Sequence, residues 1–215
     1  MYNRRFTKKH KKRASKWKDH FQREQEKRER RMKGKGIITV DPQQRKLMDS
    51  QKRNYEMMNN IRVKRPISCS NEEIISFYNL VIEGGEVSSD GLLNRIKKSY
   101  LLGFYTIDNE LVGVAALKHP SPSYKRRVFS KAGEISKVNQ FNLEMGYAVT
   151  KQGYEGRHIC RKLVRALIIN SKSKKIYATI HNKRMKYIVK LIGFQKFGNE
   201  YIGQSKRTLE LFTLE

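Results

Sequence analysis

Positive charge is distributed very unevenly along this 215-residue chain, and that distribution limits which part of it can fold. Residues 1–35 contain 16 Lys and Arg against 4 acidic residues and so carry +12 of the formal net charge of +27. Their apolar residues are too few to form the stripe that a packed helix buries. We therefore predict a basic arm over residues 1–36, disordered or helical, a linker or helix over 37–60, and one folded domain over 61–215.

The arm points to a polyanionic partner. Lys and Arg side chains that neutralise phosphates release condensed counterions and gain affinity without reading sequence. Nucleic acid is therefore the partner that we expect for residues 1–35, with a solubilising tail as the alternative. The sequence does not indicate an oligomeric state.

Cysteine usage and hydropathy indicate the compartment. Cys69 and Cys160 have no second Cys at metal-ligand spacing, so we expect neither a disulfide framework nor a metal site. No apolar run approaches the ~18 residues of a membrane span, and the basic N-terminus lacks the apolar stretch of a signal peptide. We expect a cytoplasmic protein that does not cross a membrane.

Apolar periodicity from residue 61 onward predicts a mixed α/β domain. The predicted strands are 61–67, 101–107, 111–117, 143–149, 175–180 and 208–214. The predicted helices are one from the Ser70–Glu73 capping box to Gly84, then 90–98, 156–170 and 183–191. Asp108 and Asn109 are expected to form a hairpin turn. Residues 119–140 are expected to be a long connection.

One stretch carries most of the functional information. It reads Leu143-Glu144-Met145-Gly146-Tyr147-Ala148-Val149, then Tyr154-Glu155-Gly156-Arg157-His158-Ile159-Cys160. A strand that enters a tight turn and then a helix presents backbone N–H groups to a pyrophosphate. Residues 151–190 add twelve Lys and Arg against one acid, Glu155.

This stretch resembles the central strand, pyrophosphate-binding turn and following helix of the GNAT superfamily of acyl-CoA-dependent N-acyltransferases. Shorter segments that also resemble the family lie at 83–87, 113–118, 182–194 and 209–212, in the same order along the chain as in the family. The resemblance covers about residues 61–215 and implies a GNAT fold with acetyl-CoA, or another acyl-CoA, as co-substrate. The acceptor would be an amine that the sequence does not identify.

The resemblance also implies roles for individual residues. Glu144 is the expected general base, because an amine of pKa ~10.4 must lose a proton before it attacks a thioester. Tyr187 is the fallback proton donor, since Val189 occupies the family's tyrosine position. The implied coenzyme-binding positions are Ala148 and Val149, whose backbone N–H groups would polarise the thioester carbonyl, and Glu155, Gly156, Arg157, His158, Ile159, Cys160 and Asn182.

Several positions depart from the family pattern or have a plainer role. Glu155 replaces a Gln or Arg, and His158 and Cys160 replace small residues, which would narrow the phosphate cradle. Helix capping for Asn182 and core packing for Tyr187 and Cys160 are the alternatives. A non-catalytic nucleic-acid-binding protein on a GNAT fold and a phage-type GNAT-like DNA-base modification enzyme remain alternative functions. Residues expected to line an acceptor groove are Glu86, Tyr100, Lys118 and Tyr124.

Overall fold

The computed structural model describes His20, residues 22–27, Asp41, Gln43, residues 60–172 and residues 175–215. The remainder of the basic arm and of segment 37–60 lies outside the described residues. Residues 22–27 are helical and exposed, and Lys27 Nζ lies 3.3 Å from Glu24 Oε1. Among the described residues, no helix has the length and apolar character needed to cross a bilayer.

A mixed eight-stranded sheet organises the part of the chain from residue 60 onward. Its strands are β1 Ile61–Lys64, β2 Leu101–Ile107, β3 Glu110–Lys118, β4 Leu143–Thr150, β5 Ile176–Ile180, β6 Gln195–Lys196, β7 Tyr201–Ile202 and β8 Thr208–Leu214. They run in the order β1-β2-β3-β4-β5-β8-β6, and β7 also pairs with β8. The β4–β5 pair is parallel, whereas the other pairs are antiparallel.

Five helices cover the two faces of the sheet. They are α1 Asn71–Glu83, α2 Leu92–Lys97, α3 Pro122–Lys131, α4 Ile159–Asn170 and α5 Lys183–Ile192. Short 3-10 turns lie at Pro66–Ser68 and Ile135–Gln140.

Side chains alternate between the two faces of the strands and build separate cores. Phe104 and Val114 pack with α1 and α2 on one face. Tyr105 and Ala115, the next residues along the same two strands, pack with α4 and α5 on the other. A third cluster joins α3 to Tyr177 of β5. On the first face, α1 and α2 therefore cover one half of the sheet and α3 covers the other half.

Gly113 lets α4 pack closely on β3. A Cβ atom at this position would lie 2.4 Å from Ile159 Cγ2 and 3.2 Å from Leu163 Cδ1. Contacts under 3.0 Å are not tolerated without movement of the backbone or of buried side chains. The start of α4, which follows the turn after β4, is thereby fixed against the sheet.

Most of the predicted elements are confirmed. The Ser70–Glu73 capping box opens α1, with the Ser70 side chain accepting from the Glu73 N–H and the Glu73 side chain accepting from the Ser70 N–H. Asp108 and Asn109 adopt φ values of 49° and 65°, which a tight hairpin turn between twisted strands requires. Strand β8 has the predicted bounds.

Three predictions about elements were wrong. Residues 119–140 contain α3 and a 3-10 turn, because Ser121 caps a helix and Pro122 is compatible with its first turn. The helix predicted from residue 156 begins at Ile159, since Gly156 and His158 have φ values of 78° and 60°. Strand 61–67 ends at Lys64, ahead of the 3-10 turn that Pro66 begins.

Candidate active site

Strands β4 and β5 separate after two residue pairs. Leu143 pairs with Ile176 and Glu144 pairs with Tyr177, and the ladder ends there. Beyond this point β5 continues to Ile180 as a partner of β8. The two strands therefore form a wedge in the middle of the sheet, with Glu144 at its apex.

A bulge on the other side of β4 accompanies the separation. Val114 pairs with Val149 and Ala116 with Gly146, so β4 has one more residue than β3 between these pairs. Tyr147, inside the bulge, has a φ of 52°, a left-handed conformation that is uncommon for a large residue. A bulge bends its strand and increases the local twist, which turns the end of β4 away from β5.

The wedge opens into a cavity of about 1000 Å³. Its lining includes the predicted residues Glu144, Ala148, Cys160 and Asn182, and three of the expected acceptor-groove residues, Glu86, Lys118 and Tyr124. Tyr100 does not line it and instead contacts His119, with 5.4 Å between ring centroids. The structure thus brings the predicted base and part of the predicted coenzyme site to one cavity.

Glu144 is buried, with 4% of its side chain exposed, and it has two charged or polar partners. Lys118 Nζ lies 2.9 Å from Oε2, and the Tyr124 hydroxyl donates to Oε1 at 3.0 Å. The same hydroxyl lies 3.4 Å from Thr179 Oγ1. Because its single hydrogen is directed at Glu144, Thr179 is the donor in that contact. Tyr124 therefore bridges β4 and β5 where they separate.

Lys118 reaches Glu144 across Gly146. A Cβ atom at Gly146 would lie 2.7 Å from Lys118 Cε and 2.9 Å from its Nζ. The ammonium also lies 4.9 Å from the centroid of the Tyr147 ring, within the range of a cation–π contact. The bulge and its glycine thus position the cation beside the carboxylate.

Two phenols at the cavity, Tyr124 and Tyr201, are held in their protonated form. Burial, followed by the nearby Glu144 carboxylate, raises the pKa of Tyr124. The same two causes raise the pKa of Tyr201 to about 12, against a small opposing effect of Arg127. Both hydroxyls are therefore hydrogen-bond donors at neutral pH.

The turn after β4 is exposed, and Glu155 folds back onto it. The Glu155 carboxylate accepts from the Gly153 N–H at 2.8 Å, so it satisfies one donor of the turn. Arg157 stacks on the Tyr154 ring, 4.9 Å from its centroid. Gly156 and His158 are exposed. None of these residues lines the cavity.

The remaining predicted coenzyme positions have mixed surroundings. Ile159 is buried under Gly113, which leaves only its backbone for a ligand. Cys160 packs against Met185, with 3.5 Å between the sulfur atoms, and burial raises the pKa of its thiol to about 11. Asn182 caps α5 by accepting from the Arg184 and Met185 N–H groups at 2.9 and 3.2 Å. Its side-chain oxygen is occupied, although the residue lines the cavity.

Tyr187 is not brought to Glu144. It is 64% exposed on α5 and does not line the cavity, so both its predicted catalytic role and its alternative of core packing disagree with its position. Tyr124 is instead the tyrosine that contacts Glu144. Sequence reasoning placed Tyr124 among groove residues but missed its contact with the carboxylate, since α3 was not predicted.

Within the described ranges, no group of three or more His, Cys, Asp or Glu side chains is arranged to hold a metal ion. At Glu144 the cavity offers a buried carboxylate, the Lys118 ammonium group and the Tyr124 phenol.

Comparison with known proteins adds information about the fold. No protein-family model and no curated protein matches the sequence. Among solved structures, an acyl-CoA N-acyltransferase from Pseudomonas aeruginosa aligns with a TM-score of 0.53 and 11% identity, covering 72% of this chain and 98% of that one. A GNAT family acetyltransferase from Streptococcus agalactiae aligns with a TM-score of 0.52 and 13% identity, covering 72% and 94%.

A third structure carries a ligand. It is a GNAT family acetyltransferase from Elizabethkingia anophelis with acetyl-CoA bound, with a TM-score of 0.50 and 14% identity, covering 73% of this chain and 98% of that one. These alignments agree with the resemblance noted in the sequence. The folded part of this chain has the fold of the GNAT acyl-CoA-dependent N-acyltransferases.

Proposed function

We propose that this protein is an N-acyltransferase that moves an acyl group, most simply acetyl, from coenzyme A to an amine. The observation that carries the proposal is the buried Glu144 carboxylate at the apex of the β4–β5 wedge, facing a cavity of about 1000 Å³. The wedge leaves the edge of β4 beyond Glu144 without a ladder partner on the β5 side. An extended ligand bearing amide groups, such as the pantetheine arm of an acyl-CoA, fits an unpaired strand edge.

Glu144 is the general base in this proposal. Its two contacts, with Lys118 and Tyr124, leave further lone pairs free, since a carboxylate offers about four acceptor sites. Glu144 takes the proton that the amine loses as the new C–N bond forms and the C–S bond breaks. A positioned base of this kind contributes roughly 10²–10⁴-fold to a rate.

Tyr124 is the proton donor to the leaving sulfur. Its hydroxyl is protonated at neutral pH and bonded to Glu144, so it can release a proton to the thiolate and regain one from the carboxylate. A thiol of pKa ~8.5 leaves readily, so this donation assists the reaction without being essential. Backbone N–H groups of Ala148, inside the bulge, or of Val149, in the pair that ends it, are the proposed donors to the thioester carbonyl.

The turn between β4 and α4 is the proposed holder of the coenzyme phosphates. Arg157 and His158 are exposed there. Gly153 and Gly156 have positive φ values and no side chain, so a ligand can approach the backbone at these two residues. Glu155 turns back onto Gly153, which directs its negative charge into the loop. The acetyl-CoA bound by the Elizabethkingia structure supports this use of the fold.

The test is release of free thiol by the full-length chain with acetyl-CoA and a panel of primary amines. We expect amine-dependent release that Glu144→Gln lowers by about 10²–10⁴-fold. Glu83→Gln, an exposed carboxylate outside the cavity, is the matched control and should retain the wild-type rate. Equal rates in all three proteins would contradict the role of Glu144.

Nucleic-acid targeting is a second proposal, and it is supported by charge alone. The +12 of residues 1–35 would direct the enzyme to nucleic acid or to a protein bound to it. Affinity of the full chain for duplex DNA or RNA should fall steeply with salt, and charge-neutralised variants of the arm should bind more weakly with a smaller salt slope. Binding to nucleic acid without any acetyl-CoA effect would favour a non-catalytic protein on this fold.

A further inference from the structure

We propose that the amine acceptor carries an anionic group, a carboxylate or a phosphate, and that Arg127 and Lys131 of α3 bind it at the mouth of the cavity. This inference deepens the proposed function and rests on it. It names the chemical class of the acceptor rather than the reaction.

One face of α3 runs from the candidate base to the two cations. Tyr124, Arg127, Val128 and Lys131 are spaced by three or four residues, so they share one face, and all four line the cavity. The Tyr124 hydroxyl contacts Glu144, and the Arg127 guanidinium lies 5.6 Å from the Tyr124 ring centroid. From Tyr124, Arg127 lies about 4.5 Å and Lys131 about 10.5 Å along the helix axis. An amine held at Glu144 thus has a cation about one helical turn away.

The charges around the cavity do not balance. Seven Lys and Arg residues line it, whereas Glu86 and Glu144 are the acidic residues among its lining within the described chain. Both acids are already paired, Glu86 with Arg207 and His181 and Glu144 with Lys118. Five cations therefore lack a carboxylate partner in the cavity, and an anionic acceptor would supply one.

Arg127 and Lys131 are held by neutral groups. The Arg127 guanidinium donates to the Gln204 side-chain oxygen at 3.4 Å, and Lys131 Nζ donates to the Ile202 carbonyl at 2.9 Å. These contacts orient the two side chains without neutralising their charge. Each cation has donors left for a carboxylate or a phosphate.

Tyr201 provides an independent sign of a missing ligand. It lines the same cavity, it is 9% exposed, and its hydroxyl has no hydrogen-bond partner within the described part of the chain. Buried hydroxyls are nearly always paired, so an unpaired one at a cavity wall calls for a partner. Glu144 and Arg127 both influence the pKa of Tyr201, which places its phenol within electrostatic reach of the two groups that would hold the ends of the acceptor.

The experiment compares matched acceptors on the full chain at fixed ionic strength. The pairs are O-phosphoethanolamine with ethanolamine, and 4-aminobutyrate with n-butylamine, which differ by the anionic group. The proteins are the wild type, Arg127→Gln and the control Arg126→Gln, which removes an exposed cation from the same helix outside the cavity. Thiol release gives KM and kcat, and thermal melting with each compound gives binding without catalysis.

We expect at least one anionic amine to have a lower KM than its neutral match, and Arg127→Gln to raise that KM about tenfold while leaving the neutral amine unchanged. The acceptor pair that shows this difference in KM distinguishes a phosphate from a carboxylate. Amine-dependent thiol release that is equal for both members of each pair, or equal losses in Arg127→Gln and Arg126→Gln, would overturn this inference and leave the proposed function standing. If thiol release occurs with none of these amines, the proposed function fails for these acceptors. The thermal melting experiments then test the anion site by themselves. An anion-induced shift lost in Arg127→Gln alone supports the site, and an equal shift or no shift in all three proteins overturns it.

Discussion

Replacing Glu144 with Gln separates the chemical from the structural role of this residue. The change removes one charge, keeps the side-chain shape and still accepts from the Tyr124 hydroxyl. It leaves the Lys118 ammonium without its carboxylate. Breaking a fully buried pair in this way costs about 3–5 kcal/mol, whereas an exposed pair is worth about 0–1. Lys118 is 20% exposed and keeps its contact with the Tyr147 ring, so we expect a loss of about 1–3 kcal/mol in unfolding free energy.

Such a loss leaves the protein folded, since domains are stable by roughly 5–15 kcal/mol. Urea unfolding should therefore give a moderately lower midpoint with an unchanged slope, while kcat falls by about 10²–10⁴-fold. Lys118→Met, which disturbs the same pair from the other side, is the control for stability. A Glu144→Gln protein that is folded and retains kcat within a factor of three would refute the assignment of the base.

Three further predictions concern packing, reactivity and pH. Gly113→Ala should lower the unfolding free energy by about 1–3 kcal/mol, measured in urea, because its Cβ meets Ile159 at 2.4 Å; an unchanged midpoint would contradict this packing. Burial raises the pKa of the Cys160 thiol to about 11. At pH 8 this thiol should therefore react with iodoacetamide roughly two orders of magnitude more slowly than a free thiol of pKa ~8.5. A fast reaction that is lost in Cys160→Ser would show instead that the thiol is accessible. Burial is the largest single effect on the pKa of Glu73 and raises it. The Lys64 ammonium at 2.6 Å, the Ser70 N–H and the Arg62 guanidinium together outweigh burial and hold that pKa below the usual value. The resulting stabilisation is full above about pH 4.3 and is lost as the pH falls through the lower folded-state pKa, so urea midpoints of wild type and Glu73→Gln should converge in acid.

The fold could be predicted largely because local signals and tertiary contacts agree along most of the domain. Alternating strands, the Ser70 capping box and the Asp108–Asn109 turn each have a short-range cause that survives in the structure. Helix α3 could not be predicted in the same way because proline breaks the interior of a helix, and Pro122 is compatible with α3 only because it lies in the first turn. The predicted start of α4 was three residues too early because His158 adopts a left-handed backbone conformation, which a histidine does not predict.

The candidate site was predictable only in part. Glu144 could be singled out from its strand and its resemblance to a family, and the structure places it at a cavity. Its partners could not, because Lys118 and Tyr124 come from elements 26 and 20 residues away in sequence and meet it through the sheet register and through α3. The wedge depends on the residue at which β4 and β5 stop pairing, and the sequences of the two strands do not predict that residue.

Amide hydrogen exchange of the full-length chain with and without saturating acetyl-CoA tests most directly the claim that the β4–β5 wedge binds an acyl-CoA. The account predicts slower exchange in residues 145–150, where β4 leaves β5, and in the turn and helix start at 151–161. Strand β1, three strands away from β4 in the sheet and outside the cavity lining, should serve as an internal reference that does not change. Unchanged exchange throughout residues 145–161 would contradict the claim.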